Sequence, residues 1–347
     1  MNEPEKKTKT AYLELLRIIA CFFVIVNHTN SGIFLSRTPD DKTWWVSVTY
    51  FFACKVAVPI FLMISGTLML GKIDDYKKYF SRILRILLAI VVFSFIYYAR
   101  SMYMAGRPID ILEYLKMIYQ RHATNAYWYL YLYLGMLFMM PLFQILSTNM
   151  KKREFQLLIL ISVVFMGGMP ILIHYRPGAS LSYMFTEAFP SVYVGVFFLG
   201  YYLTHYVDLK KKYAVISAFL FVGLVLAEVF LTCHEYKVRP ESFLFLEERT
   251  YLNISVSAAA LFYLARYLGS VIKNEWFWKV IVYVGGCSFG IYLLSDFFVS
   301  IYEQFYNDLS VRINTMIAVF IYEVLIFFSG MIITSILKKI PYVKKIL

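Results

Sequence analysis

Ten apolar runs of about 18 residues or more govern what this chain can fold into, because that is the length at which a helix crosses the hydrocarbon core of a bilayer. They cover 12–34, 45–70, 79–99, 126–147, 155–175, 187–206, 213–233, 250–269, 279–304 and 313–337. Composition agrees: 60% of the 347 residues are hydrophobic, 16% are charged and the mean hydropathy is +0.63, outside the balance of a soluble domain. The expectation is an all-α polytopic membrane protein of about ten transmembrane helices. Residues 1–347 read as one transmembrane domain with no appended soluble domain.

The basic residues orient these spans. With the N-terminus in the cytoplasm, twenty-one of the 34 Lys and Arg fall on cytoplasmic segments, among them Lys6, Lys7 and Lys9 and the runs at 151–153 and 210–212. Eleven fall outside, and Arg17 and Lys55 lie within spans. This bias predicts that both termini are cytoplasmic and accounts for the net charge of +12 through anchoring and contact with anionic lipid. No basic stripe interleaves with exposed aromatics on a soluble domain, so no nucleic-acid partner is expected. The first span is too long for a signal peptide and lacks a small-residue cleavage site, so it reads as retained.

Several features carry no chemistry. Cys21, Cys54, Cys233 and Cys287 lie in or beside spans without metal-ligand spacing, and no metal is expected. "GTLMLGKI" at 66–73 nearly fits a phosphate-binding loop, but Ile73 stands where Ser or Thr is required. "NIS" at Asn253 falls inside a span, and Gly286 and Gly290 read as helix-packing positions. The segment 109–120 has apolar residues at helical spacing and reads as an amphipathic surface helix.

The first span is different. Glu14, Arg17, Cys21, Val24, His28 and Ser31 follow steps of three and four, placing them on one helical face. Arg17 and His28 are eleven residues apart, about 16 Å along the axis. A charge in hydrocarbon costs about 2.5–3.5 kcal/mol, so such a face lines a bundle interior or a wet cavity. Glu14 and Arg17 also suit an i, i+3 ion pair that anchors the helix end. Arg82 and Arg85, three apart at the cytoplasmic entrance of the third span, serve equally as positive-inside anchors or, with Arg17, as guanidinium forks for a polyphosphate.

These residues carry a family resemblance. "YLELLRIIACFFVIVNH" at 12–28, "VAVPIFLMISGTLML" at 56–70, "RILR" at 82–85, "YWYLYLYLGMLFMMPLF" at 127–143 and "SFGIYLL" at 288–294 occur in order over most of the chain. The chain resembles the integral-membrane acyltransferase 3 family, in particular its surface polysaccharide O-acyltransferase branch. The resemblance implies transfer of an acyl group, usually acetyl, from cytoplasmic acyl-CoA to a hydroxyl of a cell-surface glycan or its lipid-linked precursor, in the plasma membrane. It matches Arg17 and His28 to the family's signature arginine and catalytic histidine, and Arg82 and Arg85 to its Arg-x-x-Arg pair. The mechanism expected from these residues has Arg17 in the catalytic site with His28, Arg17, Arg82 and Arg85 on the phosphates of CoA, and Glu14 orienting Arg17. A histidine of near-neutral pKa suits either a general base or an acyl acceptor.

Two positions depart from the family pattern. Ala126 stands two residues before Trp128 where relatives often carry histidine, and Ser295 stands where another histidine often follows "GIYLL". His122 and Asp296 are the nearest ionisable groups by sequence. Lys55, near the middle of the second span, could lie near His28 and keep it neutral, or pair with an acid. The competing reading is a transporter or flippase for a sugar or lipid-linked glycan precursor, because polar stripes in a helical bundle serve transport as well.

Overall fold

A computed structural model describes the backbone of residues 3–176 and 178–347. The side chains of 3–10 and 183 lie outside the description, so the expected anchors Lys6, Lys7 and Lys9 do too. The described chain is helical, with no strand. Eight segments are long and apolar enough to cross a membrane: Ala11–Leu35, Lys42–Met69, Tyr76–Met104, Lys152–Tyr175, Lys211–Val238, Pro240–Val271, Glu275–Ser310 and Thr315–Leu337. The fourth expected span is a bent pair, Asn125–Phe138 and Met140–Asn149, at 59°. The sixth is a shorter helix, Val192–His205. The chain is therefore a multi-pass all-α membrane protein.

Local chemistry sets the helix ends and breaks. Asp41, Asp75, Asp110 and Asn314 each accept a backbone N–H at a helix start, from Thr43, Lys78, Leu112 and Met316 respectively, as N-caps do. The second span is interrupted at Lys55 and Val56, between helices Lys42–Cys54 and Ala57–Met69. Pro59 explains the break: it has no N–H for the Lys55 carbonyl four residues back, and its ring crowds that carbonyl. Pro141 acts alike beside the 59° bend, and Pro170 follows the π-helical turn Leu160–Met166.

The helices form two compact units. The first holds the chain through Gly71 together with Leu146–Gly286; the second holds Lys72–Ile145 and Cys287–Leu347. In the first unit, helix Glu3–Thr29 packs against Lys42–Cys54, Ala57–Met69 and Leu252–Val271. Val192–His205 lies against Ala57–Met69 so closely that a Cβ on Gly66 would sit 1.8 Å from the Phe197 carbonyl oxygen, and one on Gly200 2.1 Å from that of Met63. Small residues at a membrane helix interface permit this approach. The "GTLMLGKI" match thus belongs to a packed helix.

In the second unit, Tyr76–Met104 packs against Ile111–Gln120, Trp128–Phe138 and Pro341–Ile346. Gly290, expected to permit close packing, meets Thr334: a Cβ there would lie 2.4 Å from its hydroxyl oxygen. The expected amphipathic helix forms at Ile111–Gln120.

Candidate active site

The first helix carries its polar face inside the first unit. From Ala11 to Asn30 no residue is exposed. Cys21 and Val24 are buried, and Glu14, Arg17 and His28 are half-buried. Arg17 donates an Nη hydrogen to Glu14 Oε1, the i, i+3 pair that the spacing allows. Glu14 is itself confined, since a Cβ on Gly285 would lie 2.6 Å from Oε2. A locked acid therefore sets the direction of the guanidinium.

His28 occupies the last turn of this helix, and both flanking polar residues tie that turn down. Asn27 Nδ2 donates to the Cys54 carbonyl, 3.0 Å away, at the break in the second span. Asn30 Nδ2 donates to the Ser47 carbonyl at 2.7 Å, and Ser47 Oγ donates back to Asn30 Oδ1 at 3.1 Å. A broken helix in a membrane needs partners for its freed carbonyls, and for that of Cys54, the last residue of its helix, the partner is Asn27, next to His28. The sequence signal for this junction was Pro59, which marks the break but not what fills it.

Lys55, at the same break, pairs with Glu247 at 2.7 Å and lies 4.1 Å from the centroid of the Phe51 ring. Of the two roles open to it from sequence, the structure supplies the acid partner.

The second unit holds the other candidates. Arg82 bonds Asp74 at 2.5 Å, and Lys78 and Gln144 bond the same carboxylate at 2.6 and 2.8 Å. Burial works to raise the Asp74 carboxyl, but the hydrogen bonds from Lys78, Gln144 and Arg82 outweigh it and hold the group well below the usual carboxylate range. Arg85 turns to different partners: Nε donates to the Ile346 carbonyl at 2.8 Å and Nη2 to that of Leu347 at 2.6 Å. The Arg-x-x-Arg pair is thus divided between two sets of acceptors.

At the far end of this unit, Asp296 Oδ2 accepts the Ala126 N–H at 3.3 Å, and Tyr292 OH donates to the Ala126 carbonyl at 2.5 Å. Tyr97 and Tyr127 both donate to the Leu293 carbonyl, at 2.9 and 2.7 Å. The two segments that depart from the family pattern therefore meet, with Asp296 and tyrosines at the junction. Ser295 Oγ donates within its own helix to the Tyr292 carbonyl. His122 Nδ1 is 2.8 Å from the Thr124 carbonyl. Sequence spacing pointed to Asp296 and His122 but gave no sign of the tyrosine cluster or of Asp74.

The four cysteines are buried, and none forms a disulfide among the described residues. Among the described residues no group of three His, Cys, Asp or Glu side chains gathers as metal ligands. Comparison with known families matches residues 10–338 to the family described as an acyltransferase domain, acyltransferase 3. Neither a curated protein nor a solved structure matches the chain.

Proposed function

Since the chain belongs to the acyltransferase 3 family and is a multi-pass membrane acyltransferase, we propose that it moves an acyl group, acetyl by preference, from cytoplasmic acyl-CoA to a hydroxyl of a cell-surface glycan or its lipid-linked precursor. The match runs through both units, which supports reading the chain as a single acyltransferase domain; the membrane proposed for it is the plasma membrane. The observation that carries the proposal is the first helix. It holds an oriented guanidinium and an imidazole about 16 Å apart along its axis, with no residue between Ala11 and Asn30 exposed.

His28 performs the chemistry. As general base it takes the proton of the acceptor hydroxyl while that oxygen attacks the thioester carbonyl; the C–S bond breaks and the CoA thiolate leaves, recovering the proton. As acyl acceptor, its ring nitrogen attacks first and the C–S bond breaks to release the thiolate; the sugar hydroxyl then attacks the acyl carbon, the C–N bond to imidazole breaks, and the hydroxyl proton passes through the freed imidazole to the thiolate. Arg17 binds donor phosphate with the part of its fork that Glu14 leaves open. Arg82 and Arg85 are suited to donor phosphate by the same chemistry: Asp74 holds Arg82 in position, and anionic oxygens are stronger acceptors than the carbonyls that Arg85 now meets. Lys55 and Asp296 have supporting roles, each within its own unit: Lys55 through Glu247 and Asp296 through the Ala126 N–H.

The test is turnover of labelled acetyl-CoA by purified protein in liposomes supplied with glycan acceptor. Wild type transfers label, and His28→Ala does not. Equal transfer by both removes His28 from the mechanism. The interrupted second span and the bent pair are features that transporters also use. Uptake of a labelled sugar precursor without acyl turnover would favour that reading instead.

A further inference from the structure

A cleft at the far end of helix Tyr76–Met104 has no part in the donor chemistry, and we propose that it binds an anionic sugar, a residue bearing a carboxylate or a phosphate. As the acceptor site it rests on the acyl-transfer reading; as a binding site it does not.

The cleft has a volume of about 360 Å³ and lies within the second unit, at the small end of the range for ligand sites, about 300–1,000 Å³. Its walls include Tyr98, Ser101, Lys116, Gln120, Arg121 and His122. The acid among the lining residues, Glu113, is answered by Arg107 at 2.9 Å. Lys116 and Arg121 form no ion pair among the described residues, so the cleft carries two cations that an anion would complement.

Its polar groups suit a sugar. A carbonyl only accepts, so the contact with Thr124 makes His122 Nδ1 the donor, and Nε2 is the nitrogen that remains for a sugar hydroxyl. Gln120 and Ser101 add an amide and a hydroxyl, and Tyr97 and Tyr98 also line the cleft.

The walls are braced without a ligand. Tyr98 OH donates to the Asp110 carbonyl at 3.0 Å and accepts its N–H at 3.2 Å. Tyr131 OH donates to the Ile118 carbonyl at 2.7 Å, and Tyr98, Met102 and Tyr114 form a buried cluster beneath helix Ile111–Gln120. On the same long helix, Ser101 lies sixteen residues beyond Arg85, roughly 24 Å along the axis. That separation places the cleft away from the phosphate-binding end, where an acceptor would enter.

The experiment titrates the full chain, in phosphatidylcholine nanodiscs, with trigalacturonic acid, glucose 1-phosphate and maltotriose. The charged probes are expected to bind at least about tenfold more tightly than the neutral trisaccharide, and the preference to fall with salt. The carboxylate and phosphate arms separate the two sources of charge. Lys116→Gln with Arg121→Gln is expected to weaken the charged probe about tenfold, and His28→Ala to leave it unchanged. Equal binding of maltotriose, no binding of either charged probe at millimolar concentration, wild-type binding by the double variant, or blockade by phosphatidylglycerol in the nanodisc overturns the assignment. Binding without acyl turnover would sink the transfer reading alone; turnover with no charged-sugar binding would sink the cleft alone.

Discussion

Asn27→Leu tests the idea that the break in the second span positions His28. The substitution keeps side-chain size but removes the donor that now bonds the Cys54 carbonyl at 3.0 Å. An unpaired buried carbonyl costs about 1–3 kcal/mol, while measured side-chain hydrogen bonds in a membrane protein average about 0.6 kcal/mol. The same change relieves Asn27 Oδ1, which is buried without a hydrogen-bond partner. These effects oppose each other, so the net loss of stability is small, about 1 kcal/mol. Catalysis has no such offset, because a misplacement of about 1 Å at a reacting group can cost about 10²-fold. The expected result is a kcat lower by about ten- to a hundredfold, a KM for acetyl-CoA changed less than about threefold, and a thermal midpoint in detergent shifted by only a few degrees. A kcat within about twofold of wild type would refute the argument, as would a loss that merely tracks the fraction of folded protein.

Gly66→Ala places a methyl group 1.8 Å from a backbone oxygen, and it is expected to abolish a monodisperse peak in size-exclusion chromatography. Asp74→Asn loosens Arg82 and should raise the KM for acetyl-CoA several-fold with kcat nearly unchanged, read from initial rates. Because the folded state lowers the pKa of Asp74, its contribution to stability is complete above about pH 4 and declines as acid protonates the folded carboxylate, so unfolding midpoints of wild type and Asp74→Asn should converge only on acidification. Lys55→Met strands Glu247 and should lower thermal stability by about 1–3 kcal/mol, with Lys55→Met/Glu247→Leu restoring much of it. Persistent loss of kcat in that stable double variant would show Lys55 acting on the chemistry itself.

The order and rough extent of the spans were legible because an apolar run is a local property, and so was the Glu14–Arg17 pair, three residues apart on one helix. Breaks were less so. Pro59, Pro141 and Pro170 were visible as residues, yet a hydropathy window averages over the missing N–H and draws an uninterrupted span. The expected span 187–206 shortened to Val192–His205, just past Pro190. Long-range partners left no trace in the sequence: Arg85 meets carbonyls more than 250 residues away, and Asp296 meets Ala126 across 170. Arg82 and Arg85 share a helix face by spacing and still take separate partners, because acceptors arrive from distant parts of the chain.

The enclosure of the first helix has a consequence for biogenesis. This segment leaves the ribosome well before one of the helices that enclose it, Leu252–Val271. At about 5–20 residues per second the wait is roughly ten to fifty seconds. Throughout it the nascent span faces lipid with a guanidinium inside, a burden of about 2.5–3.5 kcal/mol. Glu14 is the counter-charge that needs no later helix, since it is within reach as soon as one turn has formed. The pair that later aims Arg17 is thus also what makes the unassembled span tolerable to the insertion machinery, and Glu14→Gln should lower the yield of inserted protein before it alters any rate.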